Sequence, residues 1–165
     1  MRPMNEDEAE VLVERHLSER GWDIADLTVT RKRWRAHLDG GEADRVFLQN
    51  GKVAAILEAK KPGKDLWAAL EQAKRYARAY RVNTGGDVPL LFASDGGIFL
   101  RQNLKANTLP ERIQTFPTPA CQTPVNSPGG APVNPPVPVT GVARFNLDYV
   151  PDSPPWLVPS IAAVS

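Results

Sequence analysis

Residues 41–63 read GEADRVFLQNGKVAAILEAKKPG, and the fold turns on how this stretch pairs with itself. Two apolar runs, EADRVFL and KVAAILEAK, flank the turn residues Gln49, Asn50 and Gly51, a hairpin signal. Side chains alternate faces along a strand, so Glu58 and Lys60 point the same way at the end of the second run. A charged pair on one face of an apolar strand is costly to bury unless something satisfies it. Either the two form an ordinary ion pair or they belong to a metal site.

The turn decides whether a second carboxylate can join them. With Asn50-Gly51 as a two-residue loop, position 44 pairs with position 57 and Asp44 faces away from Glu58. With Gln49-Asn50-Gly51 as a three-residue loop, Gly51 left-handed in a bulge, Asp44 pairs with Ile56. Asp44, Ile56, Glu58 and Lys60 then share one face. The residue types slightly favour the shorter loop, but convergence of the charges requires the longer one, which is the expectation. Two carboxylates and a backbone carbonyl are the hard ligands that Mg²⁺ takes, with water filling the remaining positions. A lysine beside them can orient a water or stabilise a pentavalent phosphorus centre, a set suited to phosphodiester hydrolysis. Such a short pattern also arises by chance, and taken alone it reads more often as an ion pair.

The rest of the chain sets the context. Its 165 residues, 42% hydrophobic and 24% charged with a formal net charge of +1, suit one soluble domain with a real core. No apolar run approaches the roughly 18 residues of a membrane-spanning helix, and the acidic start MRPMNEDEAE lacks a signal peptide's apolar segment. A single cysteine, Cys121, excludes an internal disulfide and a cysteine-rich zinc site. A cytoplasmic protein is expected.

The near-neutral total hides segregation. Residues 31–35 (RKRWR) carry four cations and residues 60–81 seven, while acids concentrate in residues 6–26. Basic patches with interleaved aromatics can track a phosphate backbone, although a solvated helix face accounts for them equally well.

Composition breaks near Phe116. Residues 117–165 hold 12 of the 16 prolines and one cation, Arg144, so a folded domain is expected over 1–116 and a Pro-rich, irregular, disordered tail over 117–165. Within 1–116, Asn5 caps a helix to about Arg20 whose inward stripe is Ala9, Leu12, Val13, His16 and Leu17. An extended segment at 27–34 and the hairpin follow. Asp65 then caps a helix to about Val82, NTGGD forms a loop, and VPLLFAS and IFLRQ are strands around a turn at 95–97. The order implies an α/β fold with a mixed sheet flanked by helices. His16 is read as packing at the core edge, His37 as a polar-loop residue with no partner at metal-ligand spacing, Trp67 as packing on the sheet and Cys121 as an incidental thiol.

Asp44 followed by Glu58-Ala59-Lys60 at the end of an apolar strand resembles the signature of the PD-(D/E)XK nuclease superfamily. Within it, the chain resembles the N-terminal endonuclease domain of the restriction (R) subunit of type I restriction enzymes. The features that carry the likeness run in order: a helix ending in Gly-Trp (ERHLSERGW), GEAD at 41–44, Glu-Ala-Lys, and Gln72-x-x-x-Tyr76 on the next helix. VPLLFASDG at 88–96 and FPTP at 116–119 complete it, over about residues 5–119.

The resemblance implies a restriction-endonuclease-like core that cuts double-stranded DNA with Mg²⁺. It implies metal-binding roles for Asp44, Glu58 and the Ala59 carbonyl, with Lys60 as the catalytic lysine. Gln72 and Tyr76 would support the site or position DNA. A first-helix acid often completes such sites, with Glu8 the expected one and Glu10 the other candidate. The implied partners are the methyltransferase and specificity subunits of a type I complex. A full R subunit continues into ATP-driven helicase lobes, whereas this chain has no G-x-x-x-x-G-K-[ST] loop and so no ATP site. It therefore reads as a shortened subunit, with a non-catalytic DNA-binding or interaction remnant as the alternative.

Overall fold

The computed structural model describes residues 2–119. All of the expected tail beyond Pro119, Cys121 included, lies outside the described residues. Helix α1 spans Glu6–Glu19, followed by strands β1 (Thr30–Trp34), β2 (Ala43–Gln49) and β3 (Lys52–Ala59). Helix α2 (Leu66–Thr84) leads to β4 (Leu90–Ser94), β5 (Phe99–Asn103) and β6 (Glu111–Ile113). The six strands form one sheet in chain order, antiparallel throughout except for the parallel pair β3–β4. A parallel pair needs a crossover, and α2 supplies it. This is the α/β fold with a mixed sheet and two flanking helices that the element order implies.

Both helices start at their expected caps. The Asn5 side chain accepts from the Glu8 N–H while Glu8 reaches back to the Asn5 N–H, a capping box. Asp65 accepts from the Trp67 and Ala68 N–H groups. Helix α2 runs past the expected loop start, through Asn83 and Thr84, until Gly85 ends it in the left-handed region (φ 73°).

Strand alternation sorts the core into two layers. On one face α2 buries Leu66, Leu70, Ala73 and Tyr80 against Val46, Ile56, Leu91 and Leu100. On the other, α1 buries Val13 and Leu17 with Phe47, Leu57, Phe92 and Phe99. Phe116 is fully buried in this second layer, its ring 4.4 Å from Phe92 and 5.2 Å from Phe47. Two side-chain donors help tie down the segment beyond β6: Arg20 Nε donates to the Phe116 carbonyl at 2.9 Å and Trp22 Nε1 to the Pro117 carbonyl at 2.7 Å. His16 does sit at the core edge, its Nε2 accepting the Phe116 N–H at 3.1 Å.

One packing expectation fails. Trp67 does not pack on the sheet; it is 55% exposed, because α2 meets the sheet through Leu66, Ala69 and Leu70 and turns position 67 outward. The His37 carbonyl accepts from Asn83 and its ring lies edge-on to Tyr80, contacts that involve no metal ligand.

The hairpin corrects the most consequential expectation. Gln49 pairs with Lys52, so the turn holds two residues, Asn50 and Gly51, both left-handed (φ 52° and 75°), as a type I′ turn requires. That turn alone would set Asp44 opposite position 57. The register then slips: Leu48 pairs with Val53 but Phe47 with Ala55, leaving Ala54 as a bulge. Beyond the bulge Arg45 faces Leu57, and the next step sets Asp44 opposite Glu58 rather than Ile56. The odd residue needed to bring the two carboxylates together is present, but in β3 rather than in the turn.

Candidate active site

The open end of the β2–β3 hairpin is held by side chains instead of a regular ladder. The Asp44 N–H donates to Glu58 Oε1 at 3.3 Å, and the Ala59 N–H donates to Asp44 Oδ2 at 2.7 Å. Each carboxylate thus takes a backbone N–H of the opposing strand, which fixes both side chains at the strand ends. Glu58 is fully buried, and its second oxygen, Oε2, has no hydrogen-bond partner. Burial, and then the neighbouring Asp44 charge, push its carboxyl up to about 8. Burial also raises Asp44, opposed by the Ala59 N–H and the Lys60 charge.

Lys60 follows directly, its backbone N–H bonded to the Ser94 carbonyl at 2.8 Å. Its ammonium is partly buried and contacts Glu6 Oε1 at 3.0 Å. Burial presses its pKa down, but the Glu6 bond and the charges of Asp44 and Glu58 outweigh this and hold it above the ordinary lysine value.

Helix α1 does not bring Glu8 here. Glu8 is occupied by the capping box and by an ion pair with Arg2. Glu10 instead lines a cavity of about 10 Å³, enough for roughly one water, together with Asp44, Arg45 and Ala59. Burial raises the Glu10 carboxyl, with Arg33 opposing and Asp44 adding to the shift. The physical reason is helix phase: positions 6, 10 and 14 rise along the flank facing β1 and the hairpin end, while position 8 belongs to the cap.

The same flank absorbs part of the basic stretch at 31–35. Lys32 pairs with Glu14 at 2.9 Å and Arg33 with Glu10 and Glu42, both at 3.3 Å; Arg35 also binds Glu42. Arg45, buried on the α1 side, is neutralised by Glu14. Lys32 and Arg33 therefore compensate acids of the helix and Arg35 is held by Glu42, whereas Arg31 stays exposed, its Nε donating to the Leu27 carbonyl. Arg33 and Glu6 are site neighbours that sequence reasoning missed. Arg33 sits at φ 51°, unusual for a non-glycine residue, and nothing in its sequence context signals this.

Gln72 Nε2 donates to the Tyr76 hydroxyl at 3.0 Å, one helical turn away on α2. Neither has a hydrogen bond to Asp44, Glu58 or Lys60. Tyr76 packs instead against Gly41, where an added Cβ would stand 2.3 Å from ring atom Cε1. The pair thus backs the loop that leads into Asp44.

Among the described residues no three His, Cys, Asp or Glu side chains gather closely enough to hold a metal ion by themselves. Two carboxylates are nonetheless what Mg²⁺ ordinarily takes from a protein, water supplying most other positions. The unpartnered Oε2 beside Asp44, an acceptor with an unmet need, fits a hard cation. No helix among the described residues is long and apolar enough to cross a membrane.

Residues 26–97 match the family described as Type I restriction enzyme R protein N terminus. The matched span includes Asp44, Glu58, Lys60, Gln72 and Tyr76, and leaves out α1 and the segment around Phe116. No curated protein and no solved structure matches the chain.

Proposed function

We propose that this chain, residues 26–97 of which match the family described as Type I restriction enzyme R protein N terminus, is a Mg²⁺-dependent endonuclease domain hydrolysing DNA phosphodiester bonds. The observation that carries the reading is the buried, unpartnered Glu58 Oε2 set opposite Asp44, with the Lys60 ammonium leaving the same strand end. Asp44, Glu58 and the Ala59 carbonyl would hold the cation. When bound, Mg²⁺ supplies charge neutralisation at the phosphate and a more acidic water. Lys60, kept protonated by its acidic neighbours, would stabilise the charge that develops on the phosphate oxygens as water attacks and the bond to the leaving oxygen breaks. Gln72 and Tyr76 are positioning residues, acting through the Gly41–Asp44 loop. Glu10, rather than Glu8, is the first-helix acid that supports Asp44.

Methyltransferase and specificity subunits are the partners this reading brings with it, and the cytoplasm the compartment. The test is plasmid nicking by the wild type and Lys60→Ala with Mg²⁺, alongside calorimetric titration of Mg²⁺. Nicking by the wild type that K60A loses, with one Mg²⁺ bound in both, supports the reading. Absence of both nicking and Mg²⁺ binding in the wild type leaves a non-catalytic interaction domain.

A further inference from the structure

A cavity larger than the one beside the carboxylates lies elsewhere in the fold. A groove of about 810 Å³ opens at the opposite end of β3, between the Asn50-Gly51 turn and the C-terminal half of α2. Five cations border it, Lys52, Lys74, Arg78, Arg81 and Lys105, against one acid, Asp87. Lys74 pairs with Glu71 and Arg81 with Asp87, both at 3.3 Å, whereas no ion pair among the described residues involves Lys52 or Arg78. Lys52 and Arg78 are solvent-exposed.

The groove also lies on a line. β3 runs from Lys52 at the groove to Ala59 at the carboxylates, about 23 Å at strand rise. Lys61 and Lys64 follow at the carboxylate end, and α2 then carries Arg75, Arg78 and Arg81 back toward the groove. Lys61, Lys64 and Arg75 are exposed and make no ion pair among the described residues. Cations left open over such a span suit a long, regularly charged polyanion better than one acidic side chain. With phosphates about 3.4 Å apart along each strand, the span equals roughly seven nucleotides.

We infer that this groove is a second nucleic-acid contact, binding the phosphate backbone of duplex DNA roughly seven nucleotides from the strand held at Asp44 and Glu58. Its role is to fix the direction and register in which the duplex lies. Only the choice of DNA as the polyanion rests on the proposed function; the groove itself does not.

The experiment is fluorescence anisotropy with a labelled duplex of about 20 base pairs over a range of salt, in EDTA so that cutting plays no part. The variants are Lys52→Glu/Arg78→Glu and the milder Lys52→Gln/Arg78→Gln, with melting curves to show that both fold. The reversal variant should bind at least about tenfold more weakly, and its log–log salt slope should be shallower by about two. The glutamine variant should fall between. Affinity within twofold of wild type and an unchanged slope would overturn the proposal, as would no duplex binding by the wild type. Poly-glutamate binding at the groove more tightly than the duplex, and lost in K52E/R78E, would overturn it in favour of an acidic protein partner. Plasmid nicking that fails while the salt slope still changes would remove the nuclease reading and leave this one standing.

Discussion

The ring of Tyr76 occupies the space where a Cβ of Gly41 would stand, 2.3 Å from ring atom Cε1. This one contact joins two motifs that lie 35 positions apart in sequence. It gives the glycine of GEAD a physical reason: the chain must pass against an aromatic ring just before it delivers Asp44.

Gly41→Ala should therefore push Tyr76 off its seat and strain the approach to Asp44. Overpacking of this kind costs about 1–3 kcal/mol. Urea midpoints at constant m-value measure it, and adding Tyr76→Leu should recover part of the loss through a double-mutant cycle. An unchanged midpoint for G41A would refute the contact.

Glu58 should make the metal-free protein less stable as pH rises. Its folded carboxyl titrates near 8, above the ordinary glutamate value of 4.5, so between these the folded state holds a proton that the unfolded state has lost. Stability from this group is full below about pH 4.5, declines through the interval and is lost above 8, a span on the order of 5 kcal/mol. Glu58→Gln should flatten that decline. Denaturant unfolding of both proteins between pH 5 and 8.5 measures the difference; parallel curves would contradict it.

Glu6 holds the Lys60 ammonium at 3.0 Å. Glu6→Gln removes a charge and weakens that bond, so the lysine pKa should fall and more free amine be present at pH 8–9. Competitive acylation read by mass spectrometry should show Lys60 labelled several-fold faster in E6Q, with Lys61 as internal control. Equal labelling would mean that Glu6 does not govern this amine.

Phe116 is fully buried among Phe47, Phe92, Phe99 and Trp22 although it lies well beyond the matched span of 26–97. Phe116→Ala should cost about 3–5 kcal/mol. A fragment ending at residue 97 should fail to show a cooperative melt, since it lacks β5, β6 and this ring. A cooperative transition in that fragment would show that the last segment is dispensable.

Much of the architecture was legible because its signals are local. The Asn5 and Asp65 caps, the Pro62-Gly63 break, the apolar run of β4 and the alternation of β3 each act within a few residues, where the backbone's own preferences decide. The short strand β6 went unread because ERI has no pattern of its own and exists only by pairing with β5. Trp67 misled because position along a helix does not say which side meets the sheet.

By itself the sequence determined which chemical groups are available and in what order: Asp44, then Glu58-Ala59-Lys60, then Gln72 and Tyr76, on an α/β chain. Tertiary structure alone decided how they meet. A bulge at Ala54 costs little locally and leaves no mark in composition, yet it shifts the register by one and turns Asp44 to Glu58. Packing of α1 decided that Glu10, not Glu8, reaches the hairpin end, and that Lys32 and Arg33 meet acids of this helix. Those outcomes depend on contacts between residues far apart in sequence, whose energies no local stretch contains.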